Sequence, residues 1–127
     1  LKALEIYQRD KLYERAAATG VYMQDRLREF ADHPLVGEVR GVGLIGAVEL
    51  VACKKSSAAF VDGRVGAFAQ RSCQDHGLLL RAVAGSSLAF CPPLIITESQ
   101  IDEMVEKFNL ALEATLDFAR QENLLIQ

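Results

Sequence analysis

No stretch of this sequence approaches the roughly 20 consecutive apolar residues that a membrane-spanning helix needs. Its opening residues show no signal-peptide pattern. It also lacks a basic block. The 14 lysines and arginines face 17 aspartates and glutamates, a net charge of −3, which argues against a nucleic-acid partner. Histidine is scarce. His33 and His76 are the only two, and they do not cluster with other ligand types as a structural metal site requires. Cys53, Cys73 and Cys91 are widely spaced, with no C-x-x-C pair. Such spacing fits a reducing, cytoplasmic setting better than a disulfide framework or a zinc site.

What is present suffices for one folded domain. The chain has 127 residues, 50% of them hydrophobic and 24% charged, enough for a core and unlike a disordered segment. It opens on "LKALEIYQRD", which has no initiating methionine and reads as the middle of a helix, so a piece of a longer protein is expected.

Gly41, Gly43 and Gly46 in "RGVGLIGAVEL" spell G-x-G-x-x-G, and Asp62 lies 21 residues after Gly41. That is the outline of a dinucleotide-binding turn, which has a physical purpose only between a strand and a helix N-terminus. Here the glycines run into Ala47–Val51, a short apolar run with no helix start signal, so strand is the better reading. The glycines then serve to bend a strand or to let another backbone approach.

The rest of the pattern predicts an α+β fold. Asp10 is placed to cap a helix from Lys11, with a stripe of Leu12, Ala16, Thr19, Met23, Leu27 and Phe30 ended by Asp32–His33–Pro34. Gly20 interrupts that helix at a cost of about 1 kcal/mol. Val36–Val51 reads as strand with a bend or tight connection at 41–43, closed by the solvated pair Lys54–Lys55. A second helix is expected over 62–76, stopped by Gly77, with His76 placed to cap its C-terminus. Strands at 78–83 and 87–91 form a hairpin ended by Pro92–Pro93. Thr97 and Gln100 make a capping box for a long last helix with Ile101, Met104, Val105, Phe108, Leu112, Thr115 and Ala119 inward. Adjacent strands with helices packed on one side imply a mainly antiparallel sheet.

Arg81 stands out. Every neighbour within three positions is apolar. Two readings are open: an edge-strand arginine whose charge reaches solvent, or a clamp whose planar fork takes a carboxylate. Catalytic machinery is otherwise missing. No Ser–His–Asp order suggests a triad. Cys91 has no histidine nearby in sequence and reads as structural.

Several blocks together resemble the C-terminal part of class III, pyridoxal-phosphate-dependent aminotransferases of the omega-amino acid:pyruvate type. They are "YERAAATGVYMQDRLREFADHPLVGEVRG", "HPLVGEVRGVGLIGAVELV", "GLLLRAVAGSSLAFCPPLIITESQID" and the last helix. The resemblance covers nearly all of 1–127. It implies the small domain of a fold type I enzyme, with the R-G-x-G-L segment as strand and bend and no dinucleotide site. It places Arg81 on the arginine that binds the substrate carboxylate and swings away from amines lacking one. Cys91 departs from the usual Ser or Ala. The family's Schiff-base lysine, the acid that pairs the cofactor ring and the phosphate-binding loop are not in this sequence. None of Lys2, Lys11, Lys54, Lys55 and Lys107 stands in a matching context.

The resemblance thus implies a parent enzyme that moves an amino group from an amine or omega-amino acid to a keto acid such as pyruvate. The parent would use pyridoxal phosphate, pack this domain against its large domain and form a homo-oligomer, as a dimer. The chain alone would be inactive, with no catalytic, cofactor-binding or metal-binding residue. The competing readings are a stand-alone binding or regulatory module of the same fold, and a plain α+β domain in which Arg81 is incidental. A concave pocket around Arg81 would argue against the last, and open surface for it.

Overall fold

The computed structural model describes residues 1–126. Two helices open the chain, α1 (Lys2–Arg9) and α2 (Leu12–Arg28). The expected cap at Asp10 is not made. Asp10 ends α1, and its carboxylate pairs with the Arg9 guanidinium at 2.7 Å, leaving nothing for the next helix. The break itself is at Lys11, which adopts a left-handed φ of 47°. From Leu12 the expected stripe holds: Leu12, Met23, Leu27 and Phe30 are buried, with Ala16 and Thr19 half-buried. A 3-10 turn (Glu29–Asp32) carries the chain to Pro34.

β1 (Val36–Val42) and β2 (Ile45–Leu50) form a hairpin, with Val42 opposite Ile45 across a two-residue turn. The turn needs Gly43, whose φ is +56°. Lys54 is not merely a solvated strand end, since its ammonium donates to the carbonyls of Ala31 and His33.

α3 is two residues shorter at its start than expected, covering Arg64–Asp75. Asp62 lies outside it and accepts the Arg64 N–H at 3.0 Å. That carboxylate, engaged also with the Arg64 guanidinium, is held below its usual range by Arg64. His76 closes the helix as expected, with Nδ1 2.8 Å from the Ser72 carbonyl, and Gly77 follows at φ +78°.

The second hairpin pairs β3 (Arg81–Val83) with β4 (Ser87–Phe90). β3 is half the length expected. Beyond Phe90 its partner runs into Cys91–Pro92–Pro93, and prolines cannot donate to a continuing ladder. The sheet is fully antiparallel in the order β1-β2-β4-β3.

The last helix, α4 (Glu98–Gln121), starts on the expected box. Thr97 Oγ1 accepts the Gln100 N–H at 3.3 Å, and Gln100 Oε1 accepts the Thr97 N–H at 3.0 Å. All seven predicted core positions of α4 are buried. α4 packs against α2 and α3, and all three share one core with the inner sheet face. At its centre the Phe108 ring meets Phe30 and Phe90 edge-on, each at 5.0 Å between centroids. Asp102 ties α4 to α2 by accepting from the Tyr22 hydroxyl (2.7 Å) and the Arg26 guanidinium (2.9 Å).

Candidate functional site

The expected antiparallel sheet with helices on one side leaves its other face open, and Arg81 is on that face. Strand alternation puts Leu79, Arg81 and Val83 outward and Leu80 and Ala82 toward the core. Leu79 is 83% exposed, and Val42 and Ile45 on the first hairpin are 78% and 64% exposed. Cross-strand pairing aligns Arg40, Ala47, Ala89 and Arg81 in one row. Three strand spacings separate the two arginines, about 14 Å between Cα atoms. The floor between them is two alanines, so nothing bulky stands over it.

The two guanidiniums differ in commitment. Arg40 bonds to Glu38 (2.8 Å) and Glu49 (2.6 Å) and reaches the Ser87 hydroxyl at 3.4 Å. The Glu49 hydrogen bond above all holds its pKa above the ordinary arginine value, with burial opposing. Arg81 makes no side-chain hydrogen bond or ion pair among the described residues. It is a free planar donor on a small-residue floor, chemically suited to a carboxylate or another oxyanion.

Arg81 is not among the residues that line the described clefts. One cleft of about 460 Å³ borders its strand, lined by Gln70, Arg71, Ala82 and Gly85, and another of about 430 Å³ lies between α2 and α4 around Arg26, His33 and Asn109. Open surface at Arg81 is the outcome expected of an incidental, solvent-reaching arginine when this chain is taken alone, and a carboxylate clamp needs a second wall from outside these residues. Lys2 pairs with Glu5 and Lys107 with Glu103, Lys54 is spent on backbone carbonyls, and Lys11 and Lys55 are exposed in turns. Among the described residues no group of three or more His, Cys, Asp or Glu could hold a metal ion. No helix among them is long and apolar enough to cross a membrane.

Two glutamines went unnoticed in the sequence. Gln24, buried in α2, donates to the carbonyls of Gly43 (2.9 Å) and Ile45 (3.0 Å). Gln70 in α3 accepts the Ala82 N–H at 2.7 Å. Each stands four residues after a glycine that touches the same hairpin. A Cβ on Gly20 would lie 2.4 Å from the Gly43 Cα, and one on Gly66 would lie 2.2 Å from the Gly85 carbonyl oxygen. The shared signal, Gly-x-x-x-Gln in two helices, is visible in the sequence, but without the hairpins beside it each glutamine reads as a solvent-facing helix residue.

Known proteins share this fold. The class-III aminotransferase family model matches residues 1–112. The chain is 43% identical over 116 residues to the putrescine–pyruvate aminotransferase of Pseudomonas aeruginosa, covering 91% of this chain and 25% of that protein. It is 35% identical over 116 residues to the mitochondrial gamma aminobutyrate transaminase 1 of Solanum lycopersicum, covering 91% and 22%. Among solved structures, the omega transaminase of Pseudomonas jessenii in complex with PMP superposes with a TM-score of 0.86 at 43% identity, over 91% of this chain and 25% of that one. A transaminase solved with L-alanine superposes with a TM-score of 0.82 at 48% identity, over 95% and 28%. The chain spans about a quarter of the length of these relatives. By sequence and by fold it belongs to the class-III aminotransferases.

Proposed function

We propose that residues 1–127 are the C-terminal small domain of a transaminase whose large domain lies outside this sequence. The parent moves an amino group from an amine or omega-amino acid to a keto acid such as pyruvate, and Arg81 binds the carboxylate of the acid substrates. The observation that carries this reading is the uncommitted guanidinium of Arg81 on the bare sheet face, beside an Arg40 whose charge is already paired. The names of the relatives support the reaction class.

In the parent, pyridoxal phosphate would supply the electron-sink chemistry. The residues present do not fit that group, since every lysine is exposed or engaged, so its holders are assigned to the large domain. The work of this chain is orientation. Arg81 donates two parallel hydrogen bonds to a carboxylate and fixes the direction from which the substrate enters. An uncharged amine offers no such acceptor, and the side chain then swings aside. We assign the parent to the cytoplasm, with the open sheet face turned toward its large domain and the whole assembled as a homo-oligomer. The isolated 127-residue chain transfers no amino group to pyruvate when the cofactor is added. Detectable turnover by that chain would overturn this assignment.

The deciding experiment uses Arg81→Ala in the full-length protein, with the two half-reactions measured separately. Losing a desolvated charge-assisted pair costs about 2–5 kcal/mol, roughly thirty- to several-thousand-fold in kcat/KM for pyruvate. The half-reaction of an uncharged aryl or alkyl amine changes little. Equal slowing of both would make Arg81 a structural residue.

A further inference from the structure

We propose that Gln70 is a positioning residue for Arg81, acting by pinning the short strand that carries it. The proposal rests on the reading of Arg81 as the carboxylate ligand. β3 has three residues and lies at the sheet edge, so only β4 supports it by a ladder. The residues before it, 78–80, belong to no strand, and the turn after it places Ala84 and Gly85 at left-handed φ values of 47° and 88°. Such a strand can twist or fray about its outer side.

The outer side is held at one point. Ala82, the residue after Arg81, turns its N–H away from β4, and Gln70 Oε1 accepts it at 2.7 Å. One helical turn earlier, the absent side chain of Gly66 lets α3 press on Gly85 and Ser86 of the same hairpin. Gly66 and Gln70 lie on one face of α3. The same pair recurs as Gly20 and Gln24 in α2, where it holds the other hairpin at Gly43 and Ile45. Two helices thus reach two hairpins through the same glycine–glutamine spacing, Gln24 by donating to carbonyls and Gln70 by accepting an N–H. Gln70 is itself exposed, so the core does not need its polar group.

The functional consequence follows from geometry. A bidentate clamp works only within about 0.5 Å of its productive position. Gln70 fixes the backbone beneath Arg81 and does not touch the guanidinium. The side chain stays free to swing while its root stays in place.

The test uses the full-length protein with Gln70→Leu, Gln70→Glu, Arg81→Ala and the Gln70→Leu/Arg81→Ala double variant. Gln70→Leu removes the acceptor and is expected to raise KM for pyruvate roughly three- to tenfold, the size of one lost hydrogen bond. Its kcat, and both constants for an uncharged amine, stay within about twofold. Amide exchange at Ala82 speeds up. Gln70→Glu keeps an acceptor oxygen and restores both readouts. On the Arg81→Ala background the leucine adds nothing. If Gln70→Leu does not fold, Gln70→Met gives the same comparison. An unchanged pyruvate KM beside a selective Arg81→Ala effect overturns the proposal and leaves Arg81 standing. An Arg81→Ala effect that is not selective overturns both.

Discussion

Arg81 and Arg40 share a sheet face and a cross-strand row, yet only one is available for binding. The difference lies in neighbours that the linear sequence keeps apart: Glu38 and Glu49 converge on Arg40, and Ala89 is all that stands opposite Arg81. Replacing Arg81 by lysine keeps the charge but not the fork. On the proposed reading, in the full-length protein it should recover part of the pyruvate kcat/KM lost by the alanine variant. Full recovery would mean that a point charge is enough. Gly20 carries a prediction of opposite sign to its helix propensity. An alanine in an exposed helix interior gains about 1 kcal/mol over glycine. At Gly20 the new Cβ would meet backbone atoms of Gly43 at 2.4 Å, and backbone cannot turn aside like a side chain. Overpacking of this kind costs about 1–3 kcal/mol. Gly20→Ala should therefore lower the urea midpoint, and a raised midpoint would contradict the close approach.

Among the elements, the most legible were those whose signals are local. The α4 cap and its seven inward positions follow from a capping box and a 3.6-residue stripe, both contained in α4 and its cap. The β1–β2 hairpin was half legible: strand and bend were readable, but the turn at Gly43–Leu44 depends on α2 pressing against it. β3 was misjudged because strand length depends on the partner, and the partner ends in two prolines. Asp10 was misjudged because Arg9 captures its carboxylate. The junction of the 3-10 turn with β1 carries its own test. His33 Nδ1 accepts the Leu35 N–H at 3.2 Å, which places the proton of the neutral ring on Nε2. Nε2 is buried and lies 3.3 Å from Glu113 Oε1, but without hydrogen-bond alignment. Burial therefore outweighs Glu113, while Lys54 and Arg120 add to it, and the His33 pKa is lowered. A histidine with a lowered folded pKa binds its proton more readily when unfolded. Its contribution is intact above the ordinary value of about 6.5 and is lost as pH falls below it. The imidazole titration in the folded protein should place the His33 midpoint below that value. His33→Asn, which retains an acceptor for Leu35, should flatten stability against pH in the same window.

For the molecule as a whole, the one-sided architecture makes the bare sheet face the dominant exposed feature. Val42, Ile45 and Leu79 are 78%, 64% and 83% exposed there, and the sheet ends in two edge strands, β1 and β3, the second held on its outer side by Gln70. Apolar residues on an open sheet face favour association with another chain. The fold class was readable from the order of elements, and the bareness of this face follows from it, since every predicted helix stripe was spent on the other side. The consequence is testable on the chain made alone. It should self-associate, with a weight-average mass that falls on dilution in light scattering. Val42→Lys, Ile45→Lys and Leu79→Lys together should shift it toward monomer, because all three side chains point away from the core and the charges oppose stacking of two such faces. Association through α1, where Leu1 and Leu4 are 98% and 54% exposed, would persist in the triple variant. A monomer at all concentrations before any substitution would show that the polar groups of Arg40, Glu38 and Glu49 keep the face soluble without a partner.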